Sequence, residues 1–287
     1  MKQIFFLFCT MLGLSACESD TNSTPSPDYA LAPIVTLKSY IETFVDCKQI
    51  SIHSVTGVKV DETKKVFGSC SDRWVVGETN NKVFSVADGI ELDILGHILD
   101  WESIDTCIFY DNSYFDVPTL NDDDRAYYLE RKRGYDYYTA LIGDTAYNAR
   151  LRGDATPLAR AIITPLKSIV IVADKDFSSN YLAGSDLSSL FTVYFDDPYS
   201  TVKNGYKSVG GTYRFIDHDV FPQSVFKTKL SEANFEERPF INAEWLCFLD
   251  VAPEKTDTYS FLIKATFVNG TVLEATAPPI NIKGTNE

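Results

Sequence analysis

The stretch YSFLIKATFVNGTVLEATAPPINI, residues 259–282, sets the fold of this chain. Two β-rich runs flank Asn269-Gly270, a dipeptide that marks a tight hairpin turn. Two registers compete. A two-residue turn pairs Val268 with Thr271 and sets Ala265 opposite Glu274. A three-residue turn over residues 268–270, with Gly270 left-handed, pairs Phe267 with Thr271. Ile263, Ala265, Leu273 and Ala275 then share one face. A slip of one residue sends every side chain to the opposite face, so the buried face selects the register. That argument favours the three-residue turn. Pro278-Pro279 then interrupts pairing, and residues 280–282 read as a short edge strand.

Upstream of this hairpin the β signal continues. SIVIVA, residues 168–173, is a nearly continuous apolar and β-branched run. Residues 190–195, 211–215 and 240–249 follow at the spacing of a sandwich. Residues 160–284 therefore read as one C-terminal β-sandwich. Before the loop RGDATP, residues 152–157, lies a second β-rich part, residues 33–155. Residues 35–37 and 50–55 alternate apolar and polar, as half-buried strands do. Residues 65–67, 74–76 and 108–110 are further short runs. In residues 89–95, Ile90, Leu92 and Ile94 fall on one side. The fold class is mainly β.

Residues 119–151 break the pattern, with few β-branched residues and many helix formers. This middle segment reads as helical or irregular. Asp122, Asp123 and Asp124 suit a helix start, where carboxylates meet free backbone N–H groups. Arg131-Lys132-Arg133 would then stand near the helix end, with Gly134 as its stop. A second short helix over residues 137–142 is expected to follow.

The chain is acidic, with 40 Asp+Glu against 26 Lys+Arg and a net charge of −14. Such a balance argues against tracking nucleic-acid phosphates. It argues equally against electrostatic docking on anionic lipid. Sixteen Tyr and 19 Phe beside only two Met fit an aromatic-rich β protein.

The first residues carry an address. Lys2 precedes an apolar run, residues 4–14, too short for a span of about 20 residues. Small residues then lead to Cys17, as before a signal-peptide cleavage point. Leu14-Ser15-Ala16-Cys17 resembles the lipobox of bacterial lipoproteins. The resemblance implies a diacylglyceryl group on the Cys17 sulfur, removal of residues 1–16, and often acylation of the new amino terminus. More than one acyl chain holds a protein firmly on a membrane. Residues 18–32, ESDTNSTPSPDYALA, are polar, carry two prolines and read as a flexible tether following the lipidated cysteine.

A wider likeness sits in PLKSIVIVADKDFSSNYLAGSDLSSLF, residues 165–191. It resembles a recurrent segment of uncharacterised Bacteroidota lipoproteins, a domain-of-unknown-function family of about this length. Similar members carry a lipobox, a helical or irregular middle with an Ala-Tyr pair (here Ala146-Tyr147) and a β-rich end. The closing hairpin resembles that of an immunoglobulin-like sandwich. The resemblance implies no activity and no functional residues. In that group, acidic residues after the lipidated cysteine resemble a surface-export signal, which Glu18 and Asp20 match loosely.

Four cysteines besides Cys9 and Cys17 remain: Cys47, Cys70, Cys107 and Cys247. In an exported chain they permit two disulfides in three pairings, with Cys47–Cys70 the local candidate. They read equally as buried thiols, and Cys247 in its apolar run suits that reading. No Cys-x-x-Cys, H-E-x-x-H, P-loop or G-x-S-x-G is present, so neither a metal nor a cofactor is expected.

Other motifs read mainly as structure. Arg152-Gly153-Asp154 matches an adhesion tripeptide but is ordinary turn chemistry. Asp144-Thr145-Ala146 resembles an O-glycosylation sequon of exported Bacteroidota proteins, with Thr145 the acceptor, or a helix-terminal pair. Asp122 to Asp124, and Asp217 with Asp219, lack the spacing of a Ca²⁺ loop. Ser224 and Lys227 match S-x-x-K, which needs a helix to bring the two together. His53 lies in an alternating strand. Tyr127, Tyr128, Tyr135, Tyr137 and Tyr138 are dense enough to stack on sugars or anchor an interface, or to fill a core.

These readings combine into an expectation. The chain is a lipid-anchored outer-membrane protein, on the periplasmic face or the cell surface. Its body binds a protein or glycan partner without catalysis. The alternatives are a carboxylate-based glycan hydrolase and a structural subunit of an envelope assembly.

Overall fold

A computed structural model describes residues 34–37, 40–56, 60–67, 82–97, 109–111, 122–144, 147–150, 159–215 and 222–286. Among the described residues, eight strands precede the first α-helix: β1 (Ile34–Leu37), β2 (Ile41–Val45), β3 (Gln49–Thr56), β4 (Val60–Asp61), β5 (Val66–Phe67), β6 (Val83–Phe84), β7 (Glu91–His97) and β8 (Phe109–Asp111). Helix α1 (Asp122–Ile142) follows, then β9 (Tyr147–Arg150), β10 (Ala159–Ile162), β11 (Leu166–Ala173) and β12 (Phe191–Asp196). Helix α2 (Pro198–Lys203) precedes β13 (Arg214–Phe215), β14 (Val225–Lys229), β15 (Glu244–Leu249) and β16 (Asp257–Tyr259). The chain closes with β17 (Phe261–Phe267), β18 (Val272–Thr276) and β19 (Ile280–Ile282).

The fold is mainly β and sandwich-like, as the sequence predicts. One layer is a five-stranded sheet in the order β14-β12-β15-β7-β3. The other is a three-stranded sheet, β11-β17-β18. Alternation places Val193, Trp245, Cys247, Leu92 and Ile94 on the inner side of the larger sheet. They pack with Ile169, Ile171, Phe261, Ile263 and Ala265 of the smaller one in a single apolar cluster.

The hairpin adopts the three-residue form. Phe267 N–H donates to Thr271 O at 2.9 Å, and Gly270 takes φ +87°. Ala265 stands opposite Leu273 and Ile263 opposite Ala275. On the outer side Lys264 meets Glu274 at 2.8 Å. The buried face did select the register.

Four expectations need correction. Residues 33–155 and 160–284 are not separate units. β7 pairs with β15, so strands from both sides of residues 151–158 share one sheet and one apolar cluster. The C-terminal sandwich is thus completed by β3 and β7. β19 is not an edge strand but the middle of β16-β19-β6. Pro278 and Pro279 precede it, so no ladder N–H is lost within the strand. Helix α1 does not stop at Gly134, nor does a second helix begin at residue 137. One helix runs through to Ile142, and Gly143, at φ +74°, closes it. A mid-helix glycine costs about 1 kcal/mol. Burial of Tyr135 and Ile142 against β2 and α2 offsets that cost. Arg131, Lys132 and Arg133 therefore lie in mid-helix, where Lys132 bridges to Asp136 one turn on.

Helix α1 covers the small sheet β10-β2-β8. Tyr40, Ile41, Phe44, Tyr135, Ile142, Ala161, Val202 and Phe240 form a second apolar cluster there. The described helices include none long and apolar enough to cross a membrane.

Candidate functional site

The tyrosines of α1 divide by helix face. Tyr135 is buried, 3% exposed, and its hydroxyl donates to Ile41 O at 3.0 Å. Its ring meets Phe44 edge-on, with centroids 5.9 Å apart. Tyr138 lies against Phe44 and Phe240. Tyr135, and largely Tyr138, are core residues, which for these two fits the core-filling alternative of the sequence reading. Tyr137 points outward and is 61% exposed. Leu141, one turn later, is 57% exposed. Tyr127 and Tyr128 belong to the first half of α1.

The end of α1 is fixed by a carboxylate. Asp144 is 1% exposed, and its two oxygens accept the N–H groups of Tyr40 and Ile41 at 2.7 and 2.8 Å. Burial raises its carboxyl above the ordinary range, against the pull of those donors. Asp144 thus supports the helix-terminal reading of Asp144-Thr145. Thr145 itself lies outside the described residues, as do Cys17, Cys70, Cys107, Arg152, Gly153, Asp154, Asp217 and Asp219. The pairing Cys47–Cys70 therefore has one described member. Cys47 is buried beside Ile50, its Sγ 3.3 Å from Gln49 O.

On the outer side of the larger sheet stands a polar network absent from the sequence reading. Glu62, in the β4–β5 turn, accepts Lys227 Nζ at 2.6 Å and Tyr213 Oη at 2.7 Å. Tyr194 Oη adds a longer bond of 3.3 Å. The Lys227 and Tyr213 bonds hold the Glu62 carboxyl below its usual range. Burial pushes the Tyr194 phenol up to about 12. Such a set is poor chemistry: the carboxylate is already saturated with donors, and the phenol stays protonated. It serves to fasten the β4–β5 turn onto β12 and β14.

Ser224 and Lys227 do not form a Ser–Lys pair. They stand three residues apart on an extended chain, so their side chains leave on opposite faces. Ser224 Oγ bonds Thr201 Oγ1 at 2.7 Å and accepts Val209 N–H at 3.0 Å.

Beside the network, Tyr194, Asp196, Asn242 and Glu244 line a recess of about 220 Å³, its open mouth included. Asp196 is 5% exposed and accepts Ser224 N–H at 3.1 Å. Burial pushes its carboxyl up to about 7, and the Asp197 charge adds to this. Asp197 itself caps α2, accepting Ser200 N–H at 2.9 Å and pairing with Arg238 at 2.8 Å. Further along the sheet, Glu91 and Asp93 are buried on β7. Burial, with the charges of these two carboxylates, drives the Cys247 thiol far above its usual range. Cys247 is therefore an inert packing group.

Among the described residues, no three His, Cys, Asp or Glu side chains gather as a metal site. The sequence reading missed Glu62, Asp196 and Asp197, and it gave Asp144 only as half of a helix-terminal pair. A lone acidic residue gives no local sign of the distant donors it will meet. Comparisons with protein-family models, with curated proteins and with solved structures gave no match.

Proposed function

We propose that the chain is a lipid-anchored cell-envelope protein whose folded body is a non-catalytic binding or assembly module for a protein or glycan. The observation that carries this reading is Leu14-Ser15-Ala16-Cys17 behind a short apolar run, followed by a polar stretch. The body supports it indirectly. Glu62, Asp144 and Asp197 are each held by internal donors, and the recess beside Asp196 has room for about one water molecule, far short of an ordinary ligand pocket. Membrane attachment then falls to the acyl chains of Cys17. Cys17→Ala should move the protein from the membrane fraction to the soluble fraction. Retention in the membrane would overturn the anchor. Protease treatment of intact cells then separates a surface body, which is digested, from a periplasmic one, which survives until lysis.

A second reading, a carboxylate-based hydrolase, draws on Asp196. A buried carboxyl that is protonated near neutral pH, lining a recess together with Glu244, has the character of a general acid. Loss of a measured glycan-hydrolysing activity in Asp196→Asn, with folding intact, would favour it over the binding module.

A further inference from the structure

We infer that Asn269, at the tip of the β17–β18 hairpin, is a site of spontaneous modification: its side-chain amide is lost through a cyclic imide, and water leaves an aspartyl or isoaspartyl residue in its place. The inference stands apart from the lipid-anchor reading. Asn-Gly occurs twice in the chain, at residues 204–205 and 269–270. By sequence the two are alike, because a glycine sets no Cβ beside the attacking nitrogen. Both asparagines are exposed. Both nitrogens are held to the same degree: Gly205 N–H donates to Val202 O at 3.0 Å, and Gly270 N–H to Phe267 O at 2.9 Å. The difference lies in the side-chain amides. Asn204 ends α2, and its Nδ2, the leaving group, donates to Lys207 O at 3.0 Å and Ser208 O at 3.1 Å. Asn269 is held the other way round. Its Oδ1 accepts Thr271 N–H at 2.9 Å, and among the described residues no group accepts from its Nδ2.

The step needs only water. The Gly270 nitrogen gives its proton to water and attacks Asn269 Cγ. The N–Cγ bond forms, the Cγ–Nδ2 bond breaks, and Nδ2 takes up a proton and leaves as ammonia. Water then opens either ring carbonyl, which gives the aspartyl or the isoaspartyl product. Negative charge gathers on Oδ1 during the attack, where the Thr271 N–H already stands as a donor. At Asn204 the departing nitrogen must first break two hydrogen bonds. The Gly270 N–H must also leave Phe267 O, and residues 268–272, all exposed, are placed to open locally. Beside Asn204, Tyr206 N–H is bonded to Thr201 O and its side chain packs on the small apolar cluster. The isoaspartyl form adds a methylene to the backbone of a three-residue turn. β18 ends its sheet and is paired with β17 alone. Its register therefore loosens, and Leu273 and Ala275 lose their place against the large cluster.

The test incubates the full chain at mildly alkaline pH, folded and in urea. Peptide mass spectrometry reads the gain of about 1 Da that marks exchange of an amide for an acid at each site. In the folded chain Asn269 should convert at least about tenfold faster than Asn204, and in urea the two rates should converge. Equal rates in the folded chain, or a faster Asn204, overturn the inference. So does a folded Asn269 that stays intact while the unfolded chain is converted. A ratio that persists in urea also overturns it, because neighbouring residues and not the fold would then set the rates. Asn269→Asp carries the new charge on a backbone of normal length. Hydrogen exchange should quicken in β18 of the isoaspartyl form, while β12 and β15 keep their protection and Asn269→Asp keeps it throughout. Unchanged exchange in β18 of the isoaspartyl form would overturn the loosening of the hairpin.

Discussion

The sandwich and the α1 subregion solve the same burial problem in different ways. The sandwich gathers 32 described residues into one apolar cluster, from Cys47 on one side of the chain to Ile282 on the other. The cluster under α1 has eight, three of them Tyr or Phe from β2 or its approach and from α1. It depends on directed bonds as much as on area: Tyr135 Oη to Ile41 O, and Asp144 to two backbone N–H groups. A large apolar cluster is stable but indifferent to small shifts. A small cluster needs polar ties to hold one geometry. It follows that α1 should open locally while the sandwich stays folded.

Three substitutions put that contrast at risk, the largest effect first. Trp245 is fully buried at the centre of the five-stranded sheet. Trp245→Ala should cost about 3–5 kcal/mol, read as a lowered urea midpoint of the whole molecule. Survival of the sandwich with its midpoint unchanged would refute the single shared core. Asp144→Ala strands two buried N–H groups and should cost about 2–4 kcal/mol, confined to α1 and β2. Hydrogen exchange checks this: α1 and β2 lose protection while β15 and β17 keep theirs. Equal loss throughout would mean that the two regions are one cooperative unit.

The smallest effect concerns pH. Asp196 has a folded pKa raised from 3.8 to about 7. Between these values the folded state holds a proton that the unfolded state has released, so stability falls as pH rises through this window. Below about 4 the contribution is complete, and above about 7 it is gone. Asp144, also raised, acts in the same direction, whereas Glu62, held low, acts in the opposite one. The informative quantity is therefore the difference between wild type and Asp196→Asn. The variant should lack about 1–2 kcal/mol of the decline between about pH 4.5 and 7.5, by denaturant titration at each pH. Parallel curves would show that Asp196 is solvated.

How much of this was legible in the sequence depends on the range of each interaction. The β17–β18 hairpin was legible to its register, because Asn269-Gly270 and the two apolar faces lie close together along the chain. The start of α1 was legible from Asp122. Its end was not, because the glycine signal at Gly134 is weak against burial of the residues around it. The single sandwich was not legible, because Leu92 meets Cys247 with no local sign of the pairing. The Glu62–Lys227 pair spans 165 residues and was equally silent. Dense tyrosines in α1 were visible, but a face cannot be assigned until the helix has a phase. Tyr135 and Tyr137, two residues apart, proved to be core and surface.

The pairing of β7 with β15 also sets an order in time. During synthesis at about 5–20 residues per second, β7 emerges roughly ten to thirty seconds before the strand that will cover its edge. Through that interval Leu92 and Ile94 have no sheet to face. Low local contact and late closure make slow folding the expected course. The delay leaves the nascent chain threadable and open to a holding chaperone, a useful state for any polypeptide that must cross a membrane before it folds.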